Sequence, residues 1–515
     1  MDTIYSIWKK TSIQKKCAVI SCFLFSIFSQ GMGLFNKYSI HDDLGYLLSA
    51  ADALPHGRWM LYLIGRAERL FFGDGQYSLP VFNGFLLIIC IASCLCMFID
   101  LLDIRSTTLC FLLGAVMVAF PSVTSMCGFM YTAHFYGFGL LLSVIGAFLI
   151  IRYDKWYIFL AAIIILSCSV GIYQAYIPVT LSTFLFWLIK SFSEAESRED
   201  RIRLYKKTVV MFFCCLLFMA VYVVVLVFFL KRGNIHLTPY KNINKLPDYT
   251  IIDYLKRIPI AYSEFFFPVH HDGIFAVNIR LVQMSLIAVF MLLAAFFTVS
   301  SWKKHAVNGM IIMVLFLLVP LAVDFIFIIT TLDNASPLIF YGWAMFYVIF
   351  FWAIERCTIL LHGKIRQGLK ILSFGLISIL IIMFCRFDNE CYLRIHFTQA
   401  QATRYFSSLV TRIQSTKNYN SWQNVCYIGT PNPGREDNSA EEIAEFQHIE
   451  VVPYYGFRSA VQDWVWKKYL RIWCGYTAHE VDASYFQDNP EVQAMPRYPD
   501  EGSIKVIDDT LIVKF

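Results

Sequence analysis

Charge is what this chain has least of. Asp, Glu, Lys and Arg make up only 16% of its 515 residues, against 58% hydrophobic residues. With a mean hydropathy of +0.57, it carries more apolar surface than a soluble protein of this size needs. Several motifs are also missing: a pair of CxxC sequences, a Walker motif, a GxGxxG turn, a nucleophile elbow and an HExxH helix. Their absence argues against a zinc site and against ATP or a nucleotide sugar as a direct substrate. The net charge is +6, but the basic residues gather in short connections rather than one patch, which argues against a nucleic-acid partner. Most of the fifteen cysteines lie inside apolar runs, such as Cys90, Cys94, Cys96, Cys110, Cys168, Cys214 and Cys215. There they act as small packing residues.

Long apolar runs are what the chain has in abundance. Crossing the ~30 Å hydrocarbon layer takes about 20 residues, and about eleven runs on that scale are expected. They cover 17–35, 79–102, 107–121, 134–151, 156–172, 174–190, 208–230, 281–299, 307–330, 338–355 and 368–386. The expected fold class is therefore mainly α: a polytopic transmembrane helical bundle over 1–386 with a small α/β domain over 387–515. The first run follows Lys9, Lys10, Lys15 and Lys16 and lacks a small-residue cleavage site, so it reads as a retained helix rather than a signal peptide.

Basic residues orient the bundle. Alternate connections carry Arg105, then Arg152 and Lys155, then Lys190 to Lys207, then Lys303 and Lys304, then Arg356 to Lys370. The opposite connections around 122–133, 171–174 and 331–337 contain no Lys or Arg. This asymmetry places the N-terminus in the cytoplasm and the C-terminus outside. Loops 36–78 and 231–280 and the tail 387–515 then face outward.

The first outer loop has helical texture. Leu44, Leu47, Leu48, Ala51 and Leu54 recur at three- and four-residue spacing, an amphipathic helical pattern. Pro55-His56-Gly57 interrupts it, and a second apolar stretch, Trp59 to Phe72, carries Arg66 and Arg69. Two helices lying in the membrane interface fit this pattern. In the tail, a polar helix is expected over about 396–415, a strand at Val425–Gly429, a helix over 459–473 and a hairpin over 504–515 turning at Asp508-Asp509. A disulfide between Cys426 and Cys474 is open, with Cys391 making the count odd.

The chemistry-bearing residues cluster in the outward segments. Asp42 and Asp43 follow the first span directly, at a fixed height above the bilayer, where a base could serve a lipid-borne substrate. A helix N-cap before Leu44 explains one of them equally well. Arg58, between Gly57 and Trp59, and Arg66 suit a lipid phosphate; headgroup contact and snorkelling are the plainer explanation for Arg66 and Arg69. Lys256, Arg257, His270 and His271 in the second loop could also touch a phosphate or a sugar, and a solvated loop is the plainer alternative. Adjacent His270, His271 and Asp272 would point apart on an extended chain, which disfavours a metal there. Tyr173-Gln174-Ala175-Tyr176, at an outer helix junction, offers hydrogen bonds and stacking to a polar ligand, or simply a wetted junction. The tail aromatics Trp422, Tyr454, Tyr455, Trp464, Trp466 and Trp473 could stack on sugars or fill a core.

Taken in order, His41-Asp42-Asp43, Gly57-Arg58-Trp59, Tyr173-Gln174-Ala175-Tyr176, Met495-Pro496-Arg497-Tyr498-Pro499 and Gly502 to Ile507 give the chain its resemblance. It resembles the GT-C membrane glycosyltransferases, and more narrowly the serotype-converting O-antigen glucosyltransferases (the Gtr type), over nearly its whole length. The resemblance implies a periplasmic reaction at the bacterial inner membrane. The donor would be a sugar, typically glucose, on undecaprenyl phosphate, and the acceptor a hydroxyl of lipid-linked O-antigen polysaccharide. Asp42 or Asp43 would be the base, Arg58, Arg66, Lys256, Arg257, His270 and His271 would bind the donor phosphate, and His41, Trp59, Tyr173 and Gln174 would contact sugar or acceptor. The resemblance also implies a flippase and a polyprenyl-phosphate glucosyltransferase acting upstream. GT-C enzymes differ in whether they use a divalent metal, so Mg or Mn stays open and no other cofactor is expected. A transporter or flippase of lipid-linked sugars would instead call for internal repeats and charged residues mid-span; Asp324 is the clearest such charge. An O-antigen polymerase or ligase would lean on arginine-rich outer loops.

Overall fold

The computed structural model describes residues 6, 8–39, 42–45, 53–73, 77–238, 250–268, 277–330, 336–431, 449 and 465–515. The chain forms two compact units. One comprises Met1–Lys37 and Leu48–Asn389, the other Tyr38–Leu47 and Glu390–Phe515.

The first unit is helical throughout its described residues. Its helices are α1 (Ile13–Phe35), α2 (Trp59–Phe72), α3 (Pro80–Leu102), α4 (Thr107–Ala119), α5 (Pro121–Gly128), α6 (Ala133–Arg152) and α7 (Trp156–Ile172). They continue with α8 (Ile177–Glu194), α9 (Arg198–Gly233), α10 (Ile251–Phe266), α11 (Val277–Lys304), α12 (Ala306–Leu317), α13 (Tyr341–Leu360) and α14 (Gly363–Gln414). Among the described residues nine helical segments are long and apolar enough to cross a membrane, or ten if the bent pair α4–α5 is one span. Each of the eleven expected runs coincides with helical structure; α7, at 17 residues, is the apolar run that falls short. A helix is what an apolar run must become in lipid, because no water is there to satisfy its backbone.

Local chemistry sets the helix ends. Ser12, Ser106 and Ser197 each cap an N-terminus by accepting a backbone N–H. The 41° bend between α4 and α5 falls at Phe120–Pro121, where Phe120 is extended and proline disfavours helical backbone in the residue before it. α1 packs against α4 across Gly114, where an added Cβ would come within 2.5 Å of the Ala18 carbonyl oxygen. Small residues let membrane helices approach this closely. α13 is the central pillar, with Trp343, Tyr347 and Trp352 fully enclosed.

α14 corrects the sequence expectation. The separate helices expected at 368–386 and 396–415 are one continuous helix of 52 residues. Residues 387–395 contain neither Pro nor Gly, so nothing in them breaks a helix.

The second unit is built on a four-stranded sheet. Its elements after α14 are β1 (Asn424–Ile428), α15 (Trp466–Trp473), β2 (His479–Glu480), α16 (Pro490–Ala494), β3 (Ile504–Ile507) and β4 (Thr510–Lys514). The strand order is β2-β1-β4-β3; β1 is parallel to β2 and β4, and β3–β4 is the antiparallel hairpin. Asp508 and Asp509 both adopt left-handed backbone, at φ 47° and 58°, as a two-residue type I′ hairpin turn requires.

Both faces of the sheet are covered, so β1 and β4 are apolar on both sides. Val425, Tyr427, Leu511 and Val513 join Phe406, Leu409 and Trp466 in the larger core. Cys426, Ile507 and Ile512 pack with Val492 and Met495 in a smaller one. Lys514 Nζ donates to the Val492, Gln493 and Met495 carbonyls at 2.7–3.0 Å, neutralising the C-terminal end of α16. The alternation also settles the cysteines. Cys426 points into the smaller core, while Cys474 packs against the larger one. They lie across the sheet from each other, and both are free thiols, so the Cys426–Cys474 disulfide does not form.

Candidate functional site

Four of the residues singled out in the sequence come together in the first unit. Arg58 stands at the N-terminus of α2, just after Gly57, whose φ of 77° is left-handed backbone that glycine adopts without strain. The guanidinium carbon of Arg58 lies 4.8 Å from the centre of the Tyr173 ring, a cation–π distance. The Trp59 indole stacks on Phe229, with ring centres 6.5 Å apart. Gly171 makes room for that indole, because a Cβ there would come within 2.7 Å of it.

The turn carrying Arg58 is held from three sides. Gln174 Nε2 donates to the His56 carbonyl at 3.1 Å and to Tyr222 Oη at 3.1 Å. Tyr222 in turn donates to the Gly57 carbonyl at 3.0 Å. Thr238 N–H donates to the Pro55 carbonyl at 3.0 Å, and its hydroxyl lies 2.9 Å from His56 Nδ1. Gln174 is buried, so its amide acts as an internal strut rather than a free surface group. Around it Tyr136, Tyr173 and Tyr176 pack ring against ring at 5.0 and 5.6 Å. The result is an arginine set against an aromatic ring on a backbone turn tied by several hydrogen bonds.

α2 continues as the amphipathic helix expected from its sequence. It buries Trp59, Leu61 and Gly65 and leaves Leu70, Phe71 and Phe72 exposed, each at 74% or more. Consecutive exposed aromatics suit a helix lying at a membrane interface. Arg66 is exposed and sits over the Tyr62 ring at 4.9 Å.

Asp42 and Asp43 belong to the second unit, in the one-turn helix Asp42–Gly45. Asp42 is half-buried and Asp43 fully buried. Ser39 Oγ donates to Asp43 Oδ2 at 2.6 Å. Both carboxylates occupy the first turn, where the free N–H groups favour negative charge. Leu44 anchors this turn in the larger core beside Phe406 and Trp466, and Lys468 Nζ donates to the Gly45 carbonyl. The acidic segment is thus fastened to the tail sheet and α15, which its sequence position after the first span does not suggest. The rest of the expected 44–54 helix, from 46 to 52, lies outside the described residues, as do His41, His270 and His271.

Lys256 and Arg257 lie on α10, whose N-terminus carries a capping box between Thr250 and Asp253. The Thr250 hydroxyl, donating at 2.6 Å, is the main reason the Asp253 carboxyl is held below its ordinary pKa. Lys256 is exposed, while Arg257 Nη1 donates to the Ile328 carbonyl at 3.0 Å. In the tail, Trp466 is core, Trp473 stacks on Tyr469 at 4.9 Å, and Trp422 is 81% exposed beside His479. Tyr454, Tyr455 and Trp464 lie outside the described residues.

Two buried polar residues of the helical unit are not evident from the sequence. Tyr222 is the one polar-tipped side chain in the run Ala220–Val225, and that isolation is the signal. Asp388 is fully buried and accepts from Gln30 Nε2 at 3.2 Å, while Thr124 donates to the same Gln30 at 3.0 Å. Ending the last span at 386 made Asp388 a loop residue; the continuous helix makes it an interior one. Asp324 is buried too, at the end of the short helix Val319–Val323. Among the described residues, no group of three or more His, Cys, Asp or Glu could hold a metal ion.

Comparison with known proteins adds the family. No curated protein and no solved structure gives a significant match. A family model described as glucosyl transferase GtrII matches residues 31–354, well over half of the chain. The matched stretch contains Asp42, Asp43, Arg58, Gln174, Lys256 and Arg257 and ends before α14 and the tail. The chain is a multi-pass membrane protein that belongs to the GtrII glucosyl transferase family.

Proposed function

We propose that this protein transfers glucose from undecaprenyl phosphate to a hydroxyl of lipid-linked O-antigen at the periplasmic face of the bacterial inner membrane. The basic connections favour a cytoplasmic N-terminus, which puts 36–78, 231–280 and the tail on the periplasmic side. In the reaction the acceptor oxygen attacks the anomeric carbon as the bond from that carbon to the phosphate oxygen breaks. The bonding pair leaves with polyprenyl phosphate, and the acceptor proton passes to a carboxylate of the Asp42–Asp43 pair. A single displacement inverts the anomeric centre. Arg58 offsets the charge that grows on the leaving phosphate, with Lys256, Arg257 and Arg66 as further cationic contacts. Trp59, Tyr173 and Gln174 shape the surroundings of Arg58. Two adjacent carboxylates offer at most part of a metal shell, and the proposed step runs through no metal. A flippase and a polyprenyl-phosphate glucosyltransferase would supply the donor.

Family membership is the observation that carries this assignment; the hydrogen-bonded turn that carries Arg58 supports its phosphate role. The test is glycan analysis of surface polysaccharide from cells carrying the wild-type chain, Asp42→Asn, Asp43→Asn or no chain, with expression checked by blot. A glucose branch present with wild type and lost in one well-expressed Asn variant is expected. Identical polysaccharide in all four strains would remove the O-antigen role in that host.

A further inference from the structure

One cavity lies far along the first unit's helices from the Arg58 turn. It measures about 1030 Å³ and opens where α3, α6 and α8 end and α7 and α9 begin. The Lys15–Asp100 ion pair of 2.7 Å places it at the same end as the basic N-terminal segment.

Its charges do not cancel locally. All four lining carboxylates are engaged. Asp100 pairs with Lys15, Asp154 with Lys207 at 2.5 Å and Arg203 at 3.5 Å, and Glu194 with Lys190 at 2.8 Å and Arg356 at 3.0 Å. Asp200 accepts from Ser197 N and Oγ at 3.1 and 2.6 Å. The Lys207 bond is the main reason the Asp154 carboxyl is held below its ordinary pKa. Of the five lining cations, Lys190, Arg203 and Lys207 are used in these pairs. Arg152 and Lys206 also line the cavity, and they make no ion pair or hydrogen bond with any described residue. The walls are apolar on the helix side, with Phe148, Phe159 and Trp187. Trp156, 71% exposed, begins α7 beside it, as aromatics do at a membrane–water boundary.

We infer that this cavity binds the phosphate headgroup of an anionic phospholipid, with Arg152 and Lys206 on the phosphate and the apolar wall against the glycerol and upper acyl chain. A lone phosphate shares the charge chemistry but would leave most of the volume and the aromatic wall unused. Basic pockets between membrane helices are suited to anionic headgroups. Losing both cations should therefore weaken binding about thirtyfold.

The experiment titrates phosphatidylglycerol and phosphatidylcholine into the detergent-purified full chain and counts bound lipid by native mass spectrometry. Expected is clear preference for phosphatidylglycerol, lost in the Arg152→Gln, Lys206→Gln double variant. Lys206 is exposed, so Lys206→Gln alone serves if the double variant does not purify, with a smaller loss in the same direction. Lys364→Gln with Arg366→Gln, at the start of α14 and outside the cavity, should leave the preference intact. Equal binding of the two lipids, no loss in the cavity variants, or an equal loss in the α14 variant would overturn the assignment. Displacement of the lipid by millimolar inorganic phosphate would reassign the site to the free anion and overturn it as well.

Discussion

The two halves of the loop 36–78 look alike in sequence: each pairs a polar cluster with an apolar helical stretch. They are held in opposite ways. Around Arg58 the backbone is fixed by polar struts, Gln174, Tyr222 and Thr238, inside the helical unit. Around Asp43 one apolar side chain, Leu44, sits in the core of the tail unit, and Lys468 closes the turn. A hydrogen-bonded strut contributes about 0.5–1.5 kcal/mol net, whereas burying a leucine side chain contributes about 1.5–3 kcal/mol. The turn carrying the arginine is thus held mainly by hydrogen bonds, and the acidic turn by a buried leucine together with the Ser39 and Lys468 hydrogen bonds. What the difference teaches is that two polar clusters can share one loop and still depend on separate folding units.

Removing the chemistry itself should have the largest effect. Asp42→Asn and Asp43→Asn each keep size and shape, and the one that removes the base should lower transfer about 10²–10⁴-fold in protein that is still folded and expressed. Wild-type rates from both variants would take the acidic pair out of the reaction. Next comes the anchor: Leu44→Ala should cost the tail unit about 2–5 kcal/mol, read as faster proteolysis of the tail in the full chain. If the tail resists protease as before, the acidic turn is not fastened there. The struts should matter less. Gln174→Leu removes the amide that donates to both the His56 carbonyl and Tyr222 Oη and should cost about 1–3 kcal/mol, seen as a raised donor KM, and Tyr222→Phe should do the same more weakly. Unchanged KM in both would mean that Arg58 does not depend on the turn.

The smallest expected effect is one of pH. Because the Thr250 bond depresses the Asp253 carboxyl below its ordinary value of 3.8, the capping box stabilises α10 fully above that pH and loses its contribution as pH falls through the depressed value. Hydrogen exchange at the α10 N-terminus, corrected for intrinsic rates, should be slow at pH 7 and speed up as pH falls below 3.8 through the depressed value, with a smaller change in Thr250→Val, which keeps only the backbone N–H bond to Asp253.

How much of this was legible varies with the physics involved. The spans could be read because lipid leaves an apolar run no alternative to a helix. The hairpin could be read because Asp508-Asp509 sits between two alternating strands. The Arg58, Trp59, Tyr173 and Gln174 cluster was nominated residue by residue, but its convergence depends on Gly171 making room for an indole and on Tyr222, 48 residues after Gln174. Neither contact has a periodicity to betray it. The fastening of Asp42–Gly45 to the tail was invisible, because Leu44 belongs equally well to an amphipathic pattern and to a distant core. The Cys426–Cys474 pairing failed on a matter of faces: parity along β1 turns Cys426 away from α15.

The most direct test uses the purified full chain in nanodiscs, given polyprenyl phosphate bearing labelled glucose and a lipid-linked polysaccharide acceptor. The account predicts that label moves to the acceptor and polyprenyl phosphate is released in equal amount, with both signals lost together in the inactive Asp variant. Label that crosses the bilayer of a proteoliposome still attached to its lipid, with none transferred, would contradict it and identify a transporter.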